Sequence, residues 1–142
     1  MFNRMDHVGI SVRDMQKAIR FYRDIVGMEK VFDREFDAPL AKITGIDGAR
    51  ARVVHMKLGD AVVELFDYQF PKGRELRRDP IQADFGLTHI GFRVENFQET
   101  YRHLREKGVK FMGDPVEIRP GVWVAYFKGA ENEVCEMREI AA

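Results

Sequence analysis

Two histidines open matching strand-like runs, Met5-Asp6-His7-Val8-Gly9-Ile10-Ser11-Val12 and Leu87-Thr88-His89-Ile90-Gly91-Phe92-Arg93-Val94. With a period of two, His7, Gly9 and Ser11 share one face with their counterparts His89, Gly91 and Arg93, while Val8, Ile10 and Val12 (Ile90, Phe92 and Val94) share the other. The apolar face asks for a covering helix. On the opposite face, a glycine beside each histidine leaves room for a metal or ligand to approach the imidazole. Two later apolar runs are each interrupted by a glutamate: Glu64 between Val63 and Leu65, and Glu136 between Cys135 and Met137. Their neighbours belong to the core side, so the carboxylates point to the face assigned to the histidines. Imidazole nitrogen with carboxylate oxygen is the donor set of a divalent cation that keeps water at its open positions. His7, Glu64, His89 and Glu136 are therefore candidate ligands for one ion, with Zn, Ni, Co, Mn and Fe all compatible. Scattered surface residues need no explanation. Recurrence at equivalent places in two copies does.

The elements that must hold these residues are duplicated too. After the first run, Met15, Ala18, Ile19, Tyr22, Ile25 and Val26 stack on one helix face, with Asp14 as N-cap and Gly27 as stop. In the second copy Asn96 and Glu99 have capping-box spacing, Phe97, Tyr101 and Leu104 form the stripe, and Gly108 ends it. Both helices are expected to run about twelve residues. The first half continues with a strand over 28–36, a Gly-punctuated loop through 44–48, and strands over 51–58 and 61–66 joined by a tight hairpin at Gly59-Asp60. The second continues with strands over 109–112, 123–127 and 132–138. Each half reads β-α-β-β-β, which predicts an α+β fold of two tandem modules with pseudo-twofold symmetry around a shared cleft. The expected organisation is a single domain over 1–142, with module one about 1–67, a connection over 68–86 and module two about 87–142. A connection of that length suggests a lid or an oligomer contact. Its Arg74, Arg77 and Arg78 offer a contact for a carboxylate or phosphate, with a solvated loop as the plainer reading.

Composition narrows the class of partner. The chain has 142 residues, 45% hydrophobic and 32% charged, with 23 Lys+Arg against 23 Asp+Glu. Zero net charge gives no electrostatic case for nucleic acid or an anionic membrane surface, which leaves a small-molecule or protein partner as the default, with a small-molecule substrate expected. Cys135 is the single cysteine, so no intramolecular disulfide forms. It falls on the core side of its strand, as a buried thiol rather than a nucleophile. The opening residues lack the apolar run of a signal peptide, and a cytoplasmic location is expected. His55 reads as a hydrogen-bonded or exposed histidine before a pocket residue, and His103 as surface. Arg93, Trp123 and Tyr126 are pocket candidates, although a strand aromatic is more often core.

Taken together, His7-x-Gly9-x-x-Val12, the helix with Phe21-Tyr22 ending Val26-Gly27-Met28, Val63-Glu64-Leu65, Thr88-His89-Ile90-Gly91-Phe92 and Asn132-Glu133-Val134-Cys135-Glu136-Met137 resemble the vicinal oxygen chelate superfamily. That group includes glyoxalase I, methylmalonyl-CoA epimerase, extradiol dioxygenases and fosfomycin-resistance proteins. The resemblance covers nearly the whole chain and implies two βαβββ modules forming an open barrel-like cleft around one metal. It assigns the ligand role to His7, Glu64, His89 and Glu136, and implies a homodimer. Where the family usually has Asp-Pro-Asp-Gly-Asn before the last glutamate, this chain has Gly129-Ala130-Glu131-Asn132-Glu133, yet Glu136 keeps its register. The resemblance also separates chemistries. The dioxygenases and fosfomycin enzymes use two histidines and one glutamate, whereas a fourth ligand at Glu64 resembles glyoxalase I and the epimerase. A carboxylate with a pKa of about 4 is a weak base towards a carbon acid, so a cation must supply most of the stabilisation. The expected activity is a metal-dependent lyase or isomerase that abstracts a proton next to a metal-bound carbonyl, with Glu136 or Glu64 as base. The alternatives are an Fe(II) extradiol-type ring-cleaving dioxygenase on His7, His89 and Glu136, and a metal-free small-molecule (antibiotic) binding protein.

Overall fold

The alternation that opens the chain becomes a strand, and the apolar stripe behind it a helix lying on the strand's apolar side. The computed structural model describes residues 1–76 and 79–142, so the Arg77 and Arg78 part of the basic cluster lies outside the described residues. Two compact units emerge, Met1–Leu76 and Arg77–Ala142. Together they hold two four-stranded mixed sheets in an α+β fold.

The first unit runs β1 (His7–Ser11), α1 (Met15–Arg20), a π-helical continuation (Phe21–Val26), β2 (Glu29–Phe36), α2 (Ala38–Thr44), β3 (Arg50–Leu58) and β4 (Ala61–Phe70). Its sheet order is β1-β4-β3-β2, with β1 parallel to β4 and the other pairs antiparallel. Asp14 caps α1 by accepting the Lys17 N–H at 2.9 Å. Gly27 ends the helical stretch at φ 86°, a left-handed conformation that a side chain would resist. Tyr22, Ala18, Val54, Met56 and Leu65 are completely buried on the helix side. Burying a Leu or Met side chain contributes roughly 1.5–3 kcal/mol, so this layer is what fixes the strand faces.

The second unit runs β5 (Ile90–Arg93), α3 (Phe97–Glu106), β6 (Val116–Arg119), β7 (Val122–Lys128) and β8 (Val134–Ile140), in the order β5-β8-β7-β6. The strand order, the parallel outer pair and its register repeat the first unit: Gly9 pairs with Glu64 as Gly91 pairs with Glu136. Phe97, Cys135 and Met137 are buried on the helix side, Cys135 as an inaccessible thiol.

Several expected boundaries move. The segment after β2 is not all loop, because Asp37 accepts the Ala38 N–H and Ala38 begins a seven-residue helix, α2, with Pro39 in its first turn and Gly45 closing it. Strand β4 continues to Phe70, four residues beyond the predicted end. Asn96 does not form a capping box: it adopts φ 54° and ψ 60°, and its side chain makes no capping hydrogen bond. The strand expected over 109–112 shrinks to one bridge between Phe111 and Phe127, since Phe111 packs against Tyr101 of α3 with ring centroids 4.5 Å apart. The fourth strand of that sheet is instead β6, exposed along its length, where Glu117 accepts the Gly121 N–H at 2.9 Å and pins the turn into β7.

Candidate functional site

In the first unit, His7 stands at the start of β1 and Glu64 in the middle of β4, two residues further along the parallel register, opposite Gly9. Val63 and Leu65 are buried on the helix side, which turns Glu64 to the opposite face as the alternation required. His7 Nε2 lies 3.8 Å from Glu64 Oε1, and the other ring nitrogen, Nδ1, is hydrogen-bonded to Asp6 Oδ2 at 2.9 Å. The Asp6 carboxylate, as hydrogen-bond acceptor, raises the His7 pKa above its ordinary value; Glu64 adds to the effect and partial desolvation opposes it. Reciprocally, His7 lowers the Asp6 pKa. An acceptor behind Nδ1 fixes the tautomer that presents an Nε2 lone pair, the usual arrangement of a ligating histidine.

A third residue joins this pair. His55 of β3 lies directly across from Glu64, and its Nε2 is 2.7 Å from Glu64 Oε2. Its ring stacks on Phe32 with centroids 4.5 Å apart. His55 is thus in close polar contact with Glu64 and belongs to the candidate site. Its signal was available in the hairpin: a two-residue connection at Gly59-Asp60 pairs Leu58 with Ala61, and counting outward pairs His55 with Glu64. Beside this constellation the same face is apolar, with Leu40, Ala51 and Val53 forming a buried cluster against Phe36, Phe66 and Tyr68.

In the second unit, His89 Nε2 lies 3.1 Å from Glu136 Oε2. Neutral groups stand behind His89 Nδ1, Thr88 Oγ1 at 3.0 Å and Gln82 Oε1 at 3.1 Å. Gln82 also donates from Nε2 to the Thr88 carbonyl at 3.1 Å. It is held in a turn in which Asp84 Oδ2 accepts the Ile81 N–H at 2.8 Å. The connection, read from sequence as lid or oligomer contact, therefore contributes a side chain that orients His89. Tyr126 of β7 pairs with Glu136 at the position equivalent to His55, and its ring centroid is 4.9 Å from that of His89. Trp123, by contrast, packs with Phe97 on the helix side. A Cβ added at Gly91 would lie 3.9 Å from Glu136 Oε2, an ordinary contact, so this glycine is not imposed by the protein's own packing.

The structure thus brings His7 together with Glu64 in one unit and His89 with Glu136 in the other. Among the described residues no three of His, Cys, Asp and Glu gather into a metal-holding group. Each pair nevertheless suits a divalent cation: a ring nitrogen backed at Nδ1, facing a carboxylate oxygen on a largely buried glutamate, with side-chain exposure of 17% for Glu64 and 13% for Glu136. No helix among the described residues is long and apolar enough to cross a membrane.

Comparison with known proteins gives the family and the fold. The family model described as Glyoxalase/Bleomycin resistance protein/Dioxygenase superfamily matches residues 4–129. A 2-epi-5-epi-valiolone epimerase from an Actinomyces species is 31% identical over 121 residues, covering 81% of this chain and 65% of that protein. Lactoylglutathione lyase of Schizosaccharomyces pombe is 28% identical over 119 residues, covering 76% of this chain and 38% of the relative. The chain thus spans less than two thirds of either relative's length. A glyoxalase family protein from Bacillus cereus superposes with a TM-score of 0.90 at 21% identity, over 99% of this chain and 97% of that one, a likeness of fold.

Proposed function

The chain belongs to the Glyoxalase/Bleomycin resistance protein/Dioxygenase superfamily, and within it we propose a metal-dependent lyase or isomerase of the glyoxalase I or epimerase type, abstracting a proton next to a carbonyl. The observation that carries this reading is the repeated histidine–glutamate pair, His7 with Glu64 and His89 with Glu136, each imidazole backed at Nδ1. A lyase and an epimerase among the relatives support the reaction class. In this proposal the four residues hold one divalent ion, with Zn, Ni, Co, Mn and Fe all suited to two nitrogens and two carboxylates. When bound, such a cation supplies Lewis acidity towards the carbonyl oxygen.

Proton movement falls to the glutamates. Glu64 is anchored through Oε2 by His55, which suits a carboxylate that stays a ligand. Glu136 faces Tyr126 instead of a second histidine, which suits the carboxylate that swings to carbon. In the proposed cycle Glu136 takes the proton from the carbon next to the carbonyl and returns it to the other face of that carbon or to its neighbour. His7 and His89, fixed from behind, keep their ring planes through the cycle. The proposed setting is a cytoplasmic homodimer acting on a small molecule.

The test begins with metal analysis of protein purified without chelator, followed by a deuterium-exchange screen of carbon acids with a carbonyl: thioesters, hemithioacetals and sugar-like ketones. We expect one divalent ion per chain and solvent deuterium appearing next to the carbonyl of one class. Oxygen consumption with a catechol by the Fe(II)-loaded protein, without exchange, would replace this reading by the ring-cleaving dioxygenase.

A further inference from the structure

Two residues beyond Glu136 on β8 stands Arg138, on the same strand face and about 7 Å along the strand. Across the parallel pair, Arg93 of β5 is in register with Arg138, as Gly91 is with Glu136. Two guanidinium groups therefore follow His89 and Glu136 along one face of the second unit. Arg138 Nε is buried and has no hydrogen-bond partner among the described residues. A buried guanidinium N–H left unpaired is costly, so such a donor is normally matched by a partner.

The frame does not require these cations. At the equivalent positions the first unit places Ser11 and Phe66, paired in the same register. A serine and an aromatic ring thus satisfy the same backbone. The arginines also lie on the face opposite the α3 layer, away from the buried Cys135 and Met137. Arginine carries a planar fork of donors that matches the two oxygens of a carboxylate or a phosphate, and it stays charged at every working pH.

We propose that Arg93 and Arg138 form a subsite for an anionic group of the substrate, a carboxylate or phosphate carried a few bonds from the carbon that exchanges its proton. This rests on the proposed reading of the His89–Glu136 face as the substrate face and narrows the substrate class to anions. The pair orients the substrate: an oxyanion clamped by two forks fixes the distance and direction from the anion to Glu136, so that only one carbon reaches the carboxylate.

The test reads anion binding without turnover. Full-length protein is freed of metal by chelator, and the arginine Nε–H resonances are followed by NMR during titration with malonate and, separately, with inorganic phosphate, each against sodium chloride at matched ionic strength. The Arg138→Lys variant, which keeps the charge and loses the fork, assigns the Arg138 signal. We expect that signal to shift saturably with at least one anion, and Arg138→Lys to weaken that binding by at least about tenfold. Response to malonate alone identifies a carboxylate group, response to phosphate alone a phosphoryl group. Arg93→Gln should weaken the same binding, and it stands as the second variant if Arg138→Lys fails to fold. A wild-type signal that moves no more with either anion than with chloride overturns the subsite, as does wild-type affinity in both variants. Because no proton transfer is measured, loss of the subsite leaves the deuterium-exchange result untouched, and loss of exchange leaves the anion titration interpretable.

Discussion

Around Glu64 the first unit places His55 at 2.7 Å, whereas the second unit places Tyr126 at the equivalent cross-strand position of Glu136. Behind His7 stands a carboxylate, Asp6; behind His89 stand the neutral Thr88 and Gln82. Beyond the glutamates, Ser11 and Phe66 on one side correspond to Arg93 and Arg138 on the other. The strand order and the register of the outer pair are alike in the two units. The differences around the two histidine–glutamate pairs lie on the strand face that carries the glutamates. The buried frame positions are alike in the two units while the residues around the glutamates differ, and under the proposed function that asymmetry assigns anchoring to one copy and proton transfer to the other.

The sharpest test of a shared frame lies in its core. Leu65 and Met137 occupy equivalent places, paired with Ile10 and Phe92, and are 0% and 1% exposed. Replacing either by Ala leaves a cavity as well as losing transfer energy, at a cost of about 2–5 kcal/mol. We expect Leu65→Ala and Met137→Ala to lower the denaturant midpoint by similar amounts with unchanged slope. A large effect in one and none in the other would mean the two sheets are not equivalent supports.

Next in size is the division of labour between the glutamates. Glu136→Gln should lower turnover by at least about 10²-fold while metal content is retained, the scale of an essential general base. Glu64→Gln keeps an oxygen ligand and should lose less turnover at saturating metal. Equal losses in the two variants, with equal metal content, would remove the asymmetry. Unchanged turnover in Glu64→Gln together with oxygen uptake would make Glu64 a bystander.

A smaller effect is expected from the residue that distinguishes the two glutamates. His55→Leu removes the imidazole that contacts Glu64 Oε2 and should weaken metal binding about 10- to 100-fold, the range for groups supporting a ligand from behind. Tyr126→Leu at the equivalent position should change metal affinity much less. Isothermal titration of the chelator-treated proteins with Zn(II) measures both, and equal loss in the two variants would show that the His55–Glu64 contact is not what matters.

How far these features could be read from sequence follows from how each is encoded. A half-buried strand writes its faces into every second residue, which is why His7, Glu64, His89 and Glu136 could be assigned to one side of their strands. The stripe Met15-Ala18-Ile19-Tyr22 announced its helix, although not that its last six residues would be π-helical. Strand β6 was missed because all four of its residues are exposed, leaving no alternation to see. Helix α2 was missed because seven residues present barely two turns of periodicity, and only Asp37, Pro39 and Gly45 mark its ends. His55 carried its information in register rather than in composition. Gln82 could not be found that way, since it reaches His89 from an irregular segment whose path no periodicity predicts.

The smallest expected effect belongs to a feature of the first unit alone. Asp33 of β2 accepts two hydrogen bonds from Arg52 of β3, at 2.9 and 2.8 Å, and one from Lys30 at 2.9 Å. The Arg52 hydrogen bonds are the largest influence and hold the Asp33 pKa well below the usual carboxylate range, with Lys30 adding and desolvation opposing. In the second unit the carboxylate of the matching outer strand, Glu117, caps a turn instead. Because the folded pKa of Asp33 is depressed, its contribution is fully present above the unfolded value of about 4 and is lost as pH falls through the folded value. At neutral pH the contribution is about 1 kcal/mol, the upper end for a pair near the surface with good geometry. Asp33→Asn should therefore lower stability by that amount at pH 7 and progressively less as pH falls below about 4. Urea unfolding of the wild type and the variant at a series of pH values measures the difference, and a gap that stays constant down to pH 2 would show that the ionised carboxylate is not its source.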